Sequence, residues 1–455
     1  MPKLIKSRET DAADVRTVGI PRGLLYYRYH TLWRTFFERL GRTVIVDQPS
    51  TRATFAAGDA VSVDECCLAS KLYMGHVLAL LDGRGLDPAG NPRPVDALFI
   101  PSTANFGQLK HFCTKFQALP DLVANSLHER HPRILSFAVD ELEAHISLRE
   151  GLMELGARLG ERPRDVKATI HAALHEQQRA EEMLARAQRD LLDSIERLPR
   201  AGRPLTILVA AHPYVAHDPF VGGAVEDALR AAGAEVIYAD EYDRERAYKK
   251  SFEFSATLPW IVNRELVGAI LALHDRVDGI VIMSAFPCGP DSMTDDAVQR
   301  CVHGKPILAL TVDAQSGTAG VETRIESFVA VPYTHLDVHK RQEHTRRGSA
   351  RKSVEPGMSV HLGGGRILNH HNQRHSTRIR SYPPTLLRFL GYDVCSVFEY
   401  GAVSYTHLDV YKGQASTTST PRRCPPTRSA PPARRSRAMS PPPSRRASIS
   451  TRARI

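Results

Sequence analysis

Three cysteines stand where a thiolate can be presented rather than packed away. Cys67 lies in VDECCLASKLYMGH as a helix-like segment begins, Cys113 in HFCTKFQALPD, and Cys288 in SAFPCGPDS between a strand-like run and a helix-like one. All three sit at element ends, where a helix N-terminus favours negative charge and a thiolate is usable as a metal ligand. Their separation is far longer than the CxxC spacings that announce a zinc or cluster site. The residues alone therefore leave two readings open, three unrelated core or loop thiols and one dispersed metal centre. Cys66 is the alternative ligand to Cys67, since adjacent residues rarely point at one centre. Cys301 falls inside an amphipathic helix and reads as a small buried hydrophobe.

Other polar residues have a catalytic and a plain reading each. Asp64 and Glu65 precede Cys67; Glu65 is the candidate for proton transfer, and capping of the helix N-terminus is the alternative. His111 and Lys115 flank Cys113 and either touch a bound anion or belong to a solvated loop. His212 and His217 have the chemistry of metal ligands but lack further spaced partners. Arg22 and Arg28, at an aromatic-rich helix start, suit a phosphate or ordinary surface pairing.

Elements must hold these residues. Short β-branched and apolar runs at 17–20, 43–47, 97–100 and 134–137 alternate with helical spacing at 24–40 and 68–81, the pattern of a parallel sheet wrapped by helices. Residues 141–200 are rich in Glu, Arg, Ala and Leu and read as helices. Strand-like runs resume at 205–210, 235–239, 279–283 and 307–311, with helices from about 220, 257, 292 and 320. The expected fold class is α/β, with two Rossmann-like parallel-sheet domains: an extension at 1–16, a first α/β domain at 17–140, a helical segment at 141–200 and a second α/β domain at 201–330. Ligands in such sheets collect beyond the carboxyl ends of the strands, which is where 101–106, 211–219, 284–292 and 313–318 fall.

Residues 331–455 depart from this design. VPYTHLDVHKRQ at 331–342 and VSYTHLDVYKGQ at 403–414 share nine of twelve positions. Their flanks do not match, so the pair reads as a translated adaptor scar and not a stacking repeat. Residues 421–455 hold ten Arg and eight Pro with no Asp or Glu, a composition that cannot bury a core; it reads as out-of-frame, disordered sequence, the alternative being a basic arm that grips nucleic acid. The net charge of +10 belongs to this tail: residues 331–455 carry +16 and residues 1–330 carry −6. Nucleic acid is thus not an expected partner of the globular part. No apolar run is long enough for a membrane span, and seven scattered cysteines with no signal-like N-terminus point to a cytoplasmic, reducing setting.

Several phrases, taken in order, resemble one family. They are GIPRGLLYYRYHTLW at 19–33, the segment at 64–68, CTKF at 113–116, the Pro-Tyr and Asp-Pro strand end at 213–219, and CGPDS at 288–292. Over about residues 17–328 the chain resembles the D-component-like branch of the 2-hydroxyacyl-CoA dehydratase and benzoyl-CoA reductase family, the acyl-CoA dehydratase activase-related proteins. The resemblance implies a [4Fe-4S] cluster on Cys67, Cys113 and Cys288, and radical dehydration of an acyl-CoA thioester. Its alternative is a non-catalytic cluster carrier or an electron-transfer or assembly partner; whether the chain is itself a lyase component stays open. Residues 1–330 contain no GxxxxGK[ST] loop, so the resemblance implies an ATP-dependent activase as partner, with a second dehydratase subunit and an acyl-CoA substrate beside it. Thr114 stands where the family pattern has proline, and AQSGTAG at 314–320 lacks its Glu and His.

Overall fold

The computed structural model describes residues 12–314 and 320–330. The expected scar peptides, the 343–402 stretch and the basic tail lie outside them, as does most of the 314–320 loop.

The chain builds two parallel sheets in succession. The first half runs β1 (Thr17–Gly19), α1 (Tyr26–Arg39), β2 (Thr43–Ile45), α2 (Arg52–Asp59), α3 (Leu68–Leu81), β3 (Ala97–Phe99), β4 (Ser102–Asn105), α4 (Thr114–Gln117), α5 (Leu119–Ser126), β5 (Ile134–Leu135) and β6 (Ala138–Asp140). Its main sheet has the order β2-β1-β3-β5, all parallel, and β4 pairs with β6 in a separate parallel ribbon. The strand expected at 134–137 is therefore split, its end at Phe137 giving way to β6 in the second ribbon. Helix α2 had no strong apolar period to announce it. A capping box at Thr51 and Thr54 starts it, and Gly58 and Gly75 let it cross α3 at backbone contact: a Cβ on Gly58 would stand 1.8 Å from Lys71 O.

Two helices follow, α6 (Leu148–Arg158) and the 35-residue α7 (Pro163–Arg197). Ser147 and Glu150 form a capping box at the start of α6, and Pro163 opens α7 at a position where its missing N–H costs nothing. The second half runs β7 (Leu205–Ala211), α8 (Pro213–Ala216), α9 (Gly223–Ala231), β8 (Ala234–Tyr238), α10 (Arg244–Lys250), α11 (Ile261–Leu273), β9 (Gly279–Ala285), α12 (Gly289–Cys301) and β10 (Ile307–Val312), with a helical stretch at 320–330. Its sheet order is β10-β9-β7-β8, again parallel. Strands β7 and β9 are buried along all seven residues, as sheets covered on both faces require.

The cores differ in kind. The first layer is held by aromatic contacts among Trp33, Phe36, Phe37, Phe99 and Phe137, with ring centroids 5.0–5.8 Å apart. The second is a cluster of aliphatic side chains from β7, β8, β9 and β10 that also takes in Leu68 and Leu72 of α3. Helix α3 thus belongs by sequence to the first half and by packing to both, which explains why eleven of its fourteen residues are buried. Among the described residues, no helix is long and apolar enough to cross a membrane.

Candidate functional site

Cys67, Cys113 and Cys288 are the N-cap residues of α3, α4 and α12. Each precedes its helix because its backbone is outside the helical region, leaving its thiol free of the helix's own packing. Two backbone connections anchor these segments. The Leu68 N–H donates to Phe286 O at 2.9 Å, tying the start of α3 to the loop that carries Cys288. His111 forms a parallel bridge with Trp260: its N–H donates to Pro259 O and its carbonyl accepts from Ile261 N–H, each at 3.0 Å. This second tie sets the Cys113 segment against the start of α11.

Tyr214 lies among them. Its phenol is driven far above its ordinary value by burial, reinforced by the negative forms of Cys288, Asp291, Cys67 and Cys113 around it. Burial likewise pushes the Cys113 and Cys288 thiols up, with Cys67 adding to both. Left to themselves these thiols stay protonated, and a cationic centre beside them would reverse that cost. Cys67 is the member of the 66–67 pair that lies within electrostatic reach of the others; its Sγ is 3.2 Å from Ser70 Oγ. Cys66 is buried apart, and Cys301 is exposed and not the packed hydrophobe expected.

A cleft opens on this point, lined by His111, Cys113, His212, Trp260, Asn263 and Cys288 among others. Its inner wall is a buried polar cluster. His212 Nε2 lies 2.9 Å from Asp291 Oδ1, and Asn263 Nδ2 donates to the same oxygen at 2.9 Å. Burial drives the Asp291 carboxyl up, but His212, Asn263 and the adjacent Cys288 thiol hold it below its usual range. Burial opposes the charged form of His212, yet Asp291 raises it above the ordinary value. His212 Nδ1 and Asn263 Oδ1 are buried without a hydrogen-bond partner. One turn further along α12, Asp295 is pushed up to about 7 by burial and by Asp291.

The remaining sequence candidates fall elsewhere. Asp64 and Glu65 are exposed, and since Cys67 is the cap residue neither caps α3; the Glu65 carbonyl accepts from Lys115 Nζ at 3.4 Å. Arg28 is buried in a two-pronged pair with Glu265, at 2.6 and 2.8 Å, so it is neither a surface residue nor a phosphate ligand. His217 pairs with Asp240 at 2.9 Å, away from His212 and its Asp291. Sequence reasoning missed Asn263, Asp291 and Tyr214 as site residues. Asp291 had a signal, standing three residues after Cys288 on one helical turn, whereas Asn263 lies in an apolar helix with nothing local to mark it.

Residues 17–241 match the family model of a CoA enzyme activase uncharacterised domain. That span includes Cys67 and Cys113 but ends before Cys288. No curated protein matches. Among solved structures, the crystal structure of glucosamine-6-phosphate deaminase from Thermotoga maritima aligns at 9% identity, over 70% of this chain and 84% of that one, with a TM-score of 0.17, too low to bear on the fold. The family match supports the activase-related side of the resemblance and not its dehydratase D-component side. It overturns the expected function: an iron-sulfur dehydratase component carrying out radical dehydration, or a cluster carrier in its place, is not what a CoA enzyme activase domain describes. Among the described residues, moreover, no group of three or more His, Cys, Asp or Glu side chains is drawn together tightly enough to hold a metal ion.

Proposed function

We propose that the chain is an activase-related protein that acts with a CoA-dependent enzyme as partner, and that its working site is the junction of Cys67, Cys113 and Cys288. The observation that carries the reading is the convergence of three thiols at helix N-cap positions, from both layers, on one buried tyrosine. Such a site suits a thiophilic group. The [4Fe-4S] cluster implied by the sequence resemblance is the proposed cofactor. Cys67, Cys113 and Cys288 would hold it, and it would supply Lewis-acid or electron-transfer chemistry there.

The chain's own residues have defined tasks around it. Phe112, Phe116 and Trp260 limit the access of water. Asp291 lies beside the Cys288 thiol and fixes the orientation of His212, whose Nδ1 is left for a ligand. The test is anaerobic reconstitution of the full chain with iron and sulfide. About four irons per chain are expected, with loss in Cys67→Ala, Cys113→Ala and Cys288→Ala and none in Cys301→Ala. A folded protein that takes up no iron, or single variants that keep it all, would remove the cofactor from the account.

A further inference from the structure

A second buried polar network lies away from the cleft, where the two layers meet. His76, on α3, places Nδ1 2.6 Å from Asp47 Oδ2 and Nε2 2.8 Å from Ser50 Oγ. Asp47 and Ser50 follow β2, and all three residues are nearly inaccessible. The connectivity is that of a Ser-His-Asp hydrolytic triad, but a fourth residue changes its meaning. The Ser50 hydroxyl donates to Asp218 Oδ2, a carboxylate on the turn between α8 and α9 of the second layer. Asp218 also accepts from Tyr27 Oη at 2.9 Å and from the Phe220 and Val221 N–H groups at 2.9 and 3.2 Å.

A serine has one proton to give. With it placed on Asp218, Ser50 Oγ is left to accept from His76 Nε2, the reverse of the direction in which a triad histidine activates a nucleophile. Ser50 is moreover 5% exposed. The network is built as a connector: it joins the loop after β2, helix α3 and helix α1 of the first half to the 213–222 segment of the second. That segment carries Tyr214 near its start and directly follows His212, and α3 has Cys67 as its N-cap residue.

We propose that Ser50, His76 and Asp218 are positioning residues, a polar clamp that holds α3, and with it Cys67, in register with the second layer's share of the thiol site. The proposal rests on the thiol-site reading for its purpose but not for its existence, and two measurements separate the two. The first is hydrogen exchange in the full chain. In Ser50→Ala, amides of residues 68–81 and 213–222 are expected to exchange at least about tenfold faster together, while those of β7 and β9 keep their protection. Leu229→Ala, which weakens the aliphatic core that both segments border but removes no clamp bond, is the control, and exchange in the two segments is expected to rise less in it than in Ser50→Ala. Should Ser50→Ala not fold, Tyr27→Phe removes one bond to the same carboxylate and gives a smaller change in the same two segments. Unchanged exchange in either segment overturns the clamp. The second measurement is iron retained after reconstitution. Less iron in Ser50→Ala than in Leu229→Ala supports positioning; equal iron with altered exchange overturns the link to Cys67. If the wild-type chain takes up no iron, the thiol-site reading fails, and exchange still decides the clamp.

Discussion

His76 and His212 are both buried, and each offers one ring nitrogen to an aspartate, at 2.6 Å from Asp47 and 2.9 Å from Asp291. They differ in the other nitrogen. His76 Nε2 is taken up by Ser50, while His212 Nδ1 has no partner and belongs to a residue lining the cleft. The contrast separates structure from site. A histidine with both nitrogens bound holds elements together; one with a nitrogen unspent in a cleft is open to a partner from outside, a water or a ligand, because an unsatisfied buried polar group carries a cost.

The sharpest way to break this comparison is to remove each histidine. His76→Ala strands Asp47 in the interior, leaves Ser50 only its bond to Asp218, and is expected to cost about 3–5 kcal/mol in urea unfolding. His212→Ala leaves Asp291 its bond from Asn263, so a smaller loss of about 1–3 kcal/mol is expected, together with reduced iron after reconstitution. Equal costs would mean that the two histidines play the same part.

Asp295 sharpens the picture of the cleft wall. Its folded-state pKa of about 7 stands above the ordinary 3.8, so the stability it supplies is complete below about pH 4 and is lost as pH rises through about 7. Asp295→Asn imitates the protonated form. It should leave stability unchanged near pH 4 and raise it at pH 8 by about 1–2 kcal/mol after allowance for partial solvent access. A gain that is the same at both values would contradict the burial argument. The smallest effect belongs to Tyr27→Phe, expected to cost about 0.5–1.5 kcal/mol for its one bond to Asp218, read from the same urea curves.

Much of the fold was legible because it is locally encoded. The continuous apolar runs of β7 and β9 and the helical period of α3 each state their element within a few residues, and most ends shifted by one to three positions. The split of the 134–137 strand was not legible, since which sheet a short strand joins is decided by distant neighbours. Of the site, the three cysteines could be singled out by their places at element ends. The clamp could not: Ser50 meets His76 across 26 residues and Asp218 across 168, and no local pattern records such a contact. Arg28 shows the same limit from the other side, its exposed-looking position at a helix start being covered by Glu265, 237 residues away.

The central claim is that Cys67, Cys113 and Cys288 act as one site. The most direct measurement is alkylation of the full chain before and after anaerobic reconstitution with iron and sulfide, read cysteine by cysteine by mass spectrometry. The account expects all three to be protected together while exposed Cys301 reacts as before. Protection of only one or two of them, or of none, would contradict it.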